Sequence, residues 1–131
     1  MEEDCIFCKI VKGEMSSYSV FEDKNYIAFM DIFPRAKGHV LVIPKEHYRW
    51  VYDVPNFGEY FEVAKKVAQK VQKAVKSDFV SFVTVGNEVP HAHIHILPQQ
   101  EGSITGIRFT ELLDMSKEEI QELAATIGDI I

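Results

Sequence analysis

The sequence predicts an α+β domain of five strands and one long amphipathic helix, with short helices near both ends. Three observations carry that reading. Apolar residues keep helical spacing through the stretch from Asp53 to Ser77, β-rich runs lie on both sides of it, and polar or glycine-containing turns separate those runs. With 131 residues, 47% of them hydrophobic, the chain suits a single domain spanning residues 1–131 around one core.

In chain order, Asp4 is placed to cap a first helix over Cys5–Lys12, with Ile6, Phe7 and Ile10 on one face and Gly13 to stop it. Ser19–Glu22 and Tyr26–Met30 read as a hairpin whose turn is Asp23-Lys24-Asn25. His39–Pro44 has few polar interruptions and reads as a central strand. In the long helix, Phe57, Tyr60, Phe61, Ala64, Val67, Ala68, Val71 and Val75 form the apolar face, opposite Lys65, Lys66, Gln69, Lys70 and Lys73. It can start from an Asn56/Glu59 capping box or from Asp53 ahead of Val54-Pro55. Phe79–Val85 and His91–Leu97 complete the strands, joined by Gly86-Asn87-Glu88-Val89-Pro90. After the polar stretch Gln99–Gly106, Ser116 and Glu119 form a capping box for a last helix carrying Ile120, Leu123, Ala124 and Ile127.

Charge and composition exclude some roles. Lys and Arg number 14 against 20 Asp and Glu, a net charge of −6, which argues against a nucleic-acid scaffold held by phosphate contacts. No apolar run approaches the ~20 residues of a membrane span, and Met-Glu-Glu-Asp-Cys lacks a secretory start, so the expectation is a cytoplasmic protein without membrane partners.

The chemistry concentrates in His91-Ala92-His93-Ile94-His95. On a strand these imidazoles share one face at intervals of about 7 Å, while Ala92 and Ile94 pack on the other. A neutral imidazole held in one tautomer is a competent nucleophile, and its neighbours can pass a proton to a leaving group. The same spacing also suits a catalytic metal, with His39 or His47 as a further ligand. Cys5 and Cys8 have the spacing of half a zinc site, for which His47 and His91 are candidate partners. A redox pair fits less well because no βαβ unit surrounds it, and two unbonded helical cysteines remain an alternative. Asp31, at a strand end, could accept hydrogen bonds from a ribose diol or serve only as a turn residue. Ile6, Phe7, Phe29, Ile32 and Leu41 read as core.

Four segments together resemble the histidine-triad (HIT) family in order and spacing: Cys5–Ile10, Ala28–Ile32, Gly38–His47 and His91–His95. The likeness covers residues 4 to 98 and leaves 99–131 as a C-terminal extension. It implies a HIT-like fold with a five-stranded antiparallel sheet, and a homodimer paired through the long helix and an adjoining strand. It further implies nucleotide hydrolysis or transfer at the α-phosphate through a nucleotidyl-histidine. By position, His93 would be the nucleophile, His95 would contact the phosphate or leaving group, and His39 and His91 would support the imidazole network. Asp31 would hold the ribose; Ile6, Phe7, Phe29, Ile32 and Leu41 would form the purine pocket. Resemblance to zinc-containing members implies a structural Zn2+ on Cys5, Cys8, His47 and His91, which leaves His93 and His95 free for chemistry.

The departure is the link Gly86–Pro90, shorter than the family's glycine-rich phosphate loop. Asn87 would stand for an amide donor there, and Glu88 would bring a carboxylate beside a phosphate. The expected function is hydrolysis of purine nucleoside monophosphate derivatives, either phosphoramidates or acyl adenylates. Cleavage of dinucleoside polyphosphates, nucleotidyl transfer, and a nucleotide- or partner-binding module with vestigial catalysis are the alternatives.

Overall fold

The structure is a computed structural model and describes residues 3–107 and 111–130; Met1 and Glu2, at the start of the amino-terminal stretch considered above, and Ile131, the end of the expected domain, lie outside these. Its elements are α1 (Ile6–Val11), β1 (Ser19–Glu22), β2 (Tyr26–Met30), β3 (Val40–Pro44), a 3-10 turn (Val51–Asp53), α2 (Phe57–Val75), β4 (Phe79–Val83), β5 (Ile94–Gln99) and α3 (Lys117–Ile130). The five strands form one antiparallel sheet in the order β1-β2-β3-β5-β4. This is the expected mixed α+β architecture.

Alternation along the central strands gives the sheet two different faces. Tyr26, Ala28, Val40, Val42, Ile94 and Ile96 pack against Tyr60, Val63, Ala64, Val67, Ala68 and Val71 of α2 in the main core. Full burial of each larger aliphatic side chain there contributes roughly 1.5–3 kcal/mol. Tyr60 carries the only polar atom of this α2 set inward, and its hydroxyl donates to the Val42 carbonyl at 2.7 Å. The opposite residues, Ile27, Phe29, Leu41 and Ile43, join Cys5, Phe7 and Cys8 in a second, smaller cluster beneath α1. That second face carries the site.

Several expected boundaries move. The first helix is capped by Cys5, not Asp4: the Cys5 Sγ accepts the Cys8 N–H at 3.4 Å, and the helix buries Phe7 and Cys8 while Ile6 stays partly exposed. Asn56 is the N-cap of α2, yet its side chain makes no cap bond, and Glu59 instead accepts from Asn25 Nδ2. Asp53 serves the preceding 3-10 turn, accepting the Trp50 N–H at 3.2 Å. His39 falls just before β3, at the end of a turn where Gly38 adopts φ +88° and a Cβ would meet Val75 at 3.0 Å.

β4 ends at Val83 and not at Val85, and β5 starts at Ile94 and not at His91. The backbone accounts for the later start of β5. The His91 N–H bonds to the Val89 carbonyl and the Ala92 N–H to the Tyr48 carbonyl, so neither enters a strand ladder. At the other end, the Ser116/Glu119 capping box forms with both bonds at 3.1 Å, and no residue of α3 is buried. No helix among the described residues is long and apolar enough to cross a membrane.

Candidate active site and metal centre

One row of paired residues runs across four strands. Phe29 lies opposite Leu41, Leu41 opposite His95, and His95 opposite Val83. All four line a cavity of about 500 Å3 together with Ile6, Phe7, Asp31, Ile32, His39, Asn87, Glu88 and His93. The apolar wall is made where α1 meets the sheet, with Phe7 edge-on to Phe29 at 5.6 Å and to His93 at 5.2 Å. Ile32 is mostly exposed at the rim. His91 does not line this cavity, so the three histidines of the motif are divided between two places.

Backbone groups fix the tautomers of His93 and His39, and through His39 that of His95, because a carbonyl only accepts and an amide N–H only donates. His93 Nδ1 lies 2.7 Å from the His91 carbonyl and must donate to it, which leaves the Nε2 lone pair of His93 free. The Thr84 hydroxyl holds the His93 carbonyl at 2.8 Å. The Arg35 N–H donates to His39 Nδ1 at 3.1 Å, so the His39 proton is on Nε2 and is donated to His95 Nδ1 at 2.9 Å. The proton of His95 is then on Nε2. Asp31 Oδ2, 3.5 Å from His39 Nε2, favours the same tautomer, while Asp31 Oδ1 accepts the Phe33 N–H at 2.8 Å.

Burial holds these rings neutral. His39 and His93 have pKa values below the ordinary imidazole range, chiefly because charging them would cost solvation, although the Asp31 carboxylate opposes that fall at both. His95 is lowered to about 4, first by burial and then by the neighbouring His93 and His39. At neutral pH the cavity therefore presents an uncharged lone pair on His93 and an N–H on His95, with rings 5.0 Å apart.

The second cluster comprises Cys5, Cys8, His47 and His91, whose donor atoms all lie within 4.8 Å of one another. Here the backbone leaves the other nitrogen free. His91 Nε2 donates to the Pro44 carbonyl at 2.9 Å, so His91 Nδ1 faces Cys5 Sγ at 3.3 Å and Cys8 Sγ at 3.5 Å; Cys8 Sγ also lies 3.3 Å from His47 Nδ1. Ordinary zinc–sulfur and zinc–nitrogen bond lengths put an S···N edge of a tetrahedral site at about 3.5 Å. Two thiols, the outward Nδ1 lone pair of His91 with its outer carbonyl partner, and the neighbouring Nδ1 of His47 fit a four-coordinate metal ion. Asp31, His39 and His95 are equally close together. They fit a metal less well, because binding at His39 Nε2 would move its proton to Nδ1 and set it against the Arg35 N–H.

Sequence reasoning missed Arg49 and Thr84. The Arg49 guanidinium lies 3.7 Å over the Trp50 ring, and its Nη1 donates to the Gly86 carbonyl at the start of the short link. The adjacent arginine and tryptophan were the available signal, without anything in the spacing to direct them toward residue 86.

An imidazole with one free nitrogen at the floor of an apolar, sheet-borne cavity, backed by further histidines, defines a histidine-triad protein. The pattern of the HIT domain matches residues 12–102, and the chain belongs to that family of nucleotide-binding hydrolases. An uncharacterized HIT-like protein of Methanocaldococcus jannaschii is 38% identical over 123 residues, covering 88% of this chain and 95% of the relative. An adenosine 5′-monophosphoramidase of Saccharomyces cerevisiae is 37% identical over 106 residues, 77% of this chain and 66% of its own length. Among solved structures, a HIT family protein from Bacillus subtilis superposes with a TM-score of 0.84 at 31% identity, covering 98% of each chain. A Streptococcus mutans protein gives a TM-score of 0.87 at 35% identity, over 98% of this chain and 86% of that one.

Proposed function

We propose that this protein hydrolyses purine nucleoside 5′-monophosphate derivatives, of the phosphoramidate or acyl-adenylate type, through a nucleotidyl intermediate on His93. The observation that carries the reading is the free Nε2 of His93, fixed by the 2.7 Å bond from Nδ1 to the His91 carbonyl and facing the cavity that holds Asp31 and the apolar wall. The similarity to the yeast adenosine 5′-monophosphoramidase supports the substrate class.

In the proposed reaction, Nε2 of His93 forms a bond to the α-phosphorus as the bond from phosphorus to the leaving nitrogen or oxygen breaks. His95 donates its Nε2–H to the phosphoryl group or the departing atom, and His39 holds His95 in that tautomer. Water oxygen then bonds to phosphorus as the P–N bond to His93 breaks and a water proton replaces the one His95 gave up, releasing the nucleoside monophosphate and restoring both imidazoles. Ile6, Phe7, Phe29, Ile32 and Leu41 enclose the base, and Asp31 accepts from the ribose. In the link, the N–H groups of Asn87, Glu88 and Val89 make no bond among the described residues, which leaves them available to a phosphate.

Cys5, Cys8, His47 and His91 hold a structural zinc in this reading. When bound, it would tie α1 to the segment before β5, and His91 would hold it through Nδ1 while its carbonyl orients His93. The protein works as a cytoplasmic homodimer without nucleic-acid or membrane partners. Hydrolysis of adenosine 5′-phosphoramidate tests the proposal: wild type turns over, while His93→Ala loses turnover and keeps AMP binding. Turnover by His93→Ala at the wild-type rate would refute it.

A further inference from the structure

The five-residue link that precedes the histidines is gripped from one short stretch of chain. Leaving β3, His47 meets Cys8 Sγ at 3.3 Å, the Tyr48 carbonyl accepts the Ala92 N–H at 2.7 Å, and Arg49 donates to the Gly86 carbonyl. Trp50 completes the grip. Gly86 adopts φ +76°, and a Cβ there would lie 3.4 Å from the Trp50 ring. Arg49 thus holds the start of the link and Tyr48 the chain just beyond its end, and the middle, Asn87 to Val89, lines the cavity with His93.

The geometry points to Arg49 as a positioning residue for phosphoryl transfer, clamping Gly86 so that the shortened link presents its donors at the phosphorus beside His93. A long glycine-rich loop can wrap a phosphate by its own folding, whereas a five-residue link takes its course from the groups that hold its ends. Arg49 supplies that constraint from outside. Its guanidinium is suited to the role because one planar group can both stack on the indole and reach the carbonyl; a lysine ammonium can make the hydrogen bond without forming the plate. Arg49 is not among the residues lining the cavity; its charge helps lower the His93 pKa from outside, and its positioning effect passes through Gly86–Val89.

The assignment rests on the hydrolase reading above, and the test separates the two. Adenosine 5′-phosphoramidate hydrolysis is measured for the full chain, for Arg49→Ala and for Arg49→Lys, with metal content and thermal midpoint recorded. AMP titrations are followed on the emission of Trp50, the chain's one tryptophan. In Arg49→Ala, kcat falls about 10- to 100-fold, the scale of a displaced reacting group, and KM changes less than about threefold because base and ribose contacts persist. Arg49→Lys recovers part of kcat, and both variants keep their metal and midpoint.

Wild-type kcat in Arg49→Ala overturns the assignment. So does a kcat loss in both variants that tracks lost metal or a lowered midpoint, which would make Arg49 a scaffold residue. If wild type fails to hydrolyse the phosphoramidate, the hydrolase reading fails and the titration decides Arg49. AMP shifting Trp50 emission in wild type and not in Arg49→Ala supports the clamp; equal responses, or none in either protein, overturn it.

Discussion

Two clusters of histidine adjoin Phe7, and they differ mainly in which ring nitrogen the backbone has claimed. At His91 the Pro44 carbonyl takes Nε2, and the free Nδ1 faces two thiols and the Nδ1 of His47. At His93 the His91 carbonyl takes Nδ1, and the free Nε2 faces an open cavity. Two residues apart, the same side chain leaves Nδ1 toward a set of groups that could hold a metal ion in one place and Nε2 toward the cavity in the other. Phe7 packs edge-on to both rings, at 5.9 Å from His91 and 5.2 Å from His93, and so borders both environments. The identity of an imidazole's backbone partner matters as much as its position in a motif.

The division predicts separable losses. The largest is expected in the cavity: His95→Ala removes the only N–H that the network aims from that ring, and kcat should fall about 10²- to 10⁴-fold. Metal content should stay at the wild-type level. Metal loss in that variant, measured by elemental analysis, would merge the two clusters into one functional unit.

A smaller catalytic effect is expected from the other side. Cys8→Ala should abolish stoichiometric metal binding and lower the thermal midpoint, because a deprotonated thiol ligand is lost from a buried site. Turnover measured well below that midpoint should fall by only about tenfold, through displacement of the His91 carbonyl that orients His93. A fall as deep as that of His95→Ala would place the metal in the chemical step.

The smallest effect is a missing one. Unperturbed imidazoles titrate near pH 6.5, so an ordinary catalytic pair would lose activity as pH drops through that value. Here burial lowers both His39 and His95, the latter to about 4. A lowered pKa keeps the neutral, active form at lower pH. The acid limb of kcat should therefore fall below the ordinary imidazole value, because His39, His93 and His95 are all lowered, His95 to about 4. A midpoint near 6.5 in kcat would show that the rings are not held neutral.

Much of the fold was legible because it depends on local patterning. β1 and β2 occupy the residues that the β-rich runs and the Asp23–Asn25 turn indicated, and the capping box at Ser116 forms as read. Misplaced boundaries have non-local causes. Nothing in His91-Ala92-His93 announces that its amides are engaged by Val89 and by distant Tyr48, so the alternation reads as strand three residues too early. Cys5 displaces Asp4 as the cap because its sulfur sits where Cys8 needs an acceptor.

The same limit applies at the site. The motif residues are visible in sequence, and their gathering into two clusters follows the resemblance to the family. The partners that assign each proton, Pro44, Arg35 and the His91 carbonyl, are backbone groups without a side-chain signature. Arg49 escapes for a related reason, since its partner is the carbonyl of Gly86, 37 residues away.

The central claim is that the free Nε2 of His93 becomes covalently nucleotidylated. Intact-mass analysis after rapid quench with adenosine 5′-phosphoramidate measures this directly. The account predicts a transient increase by one adenylyl group in wild type, mapped to His93 and absent from His93→Ala. Wild-type turnover without the adduct, or an adduct that persists in His93→Ala, would contradict it.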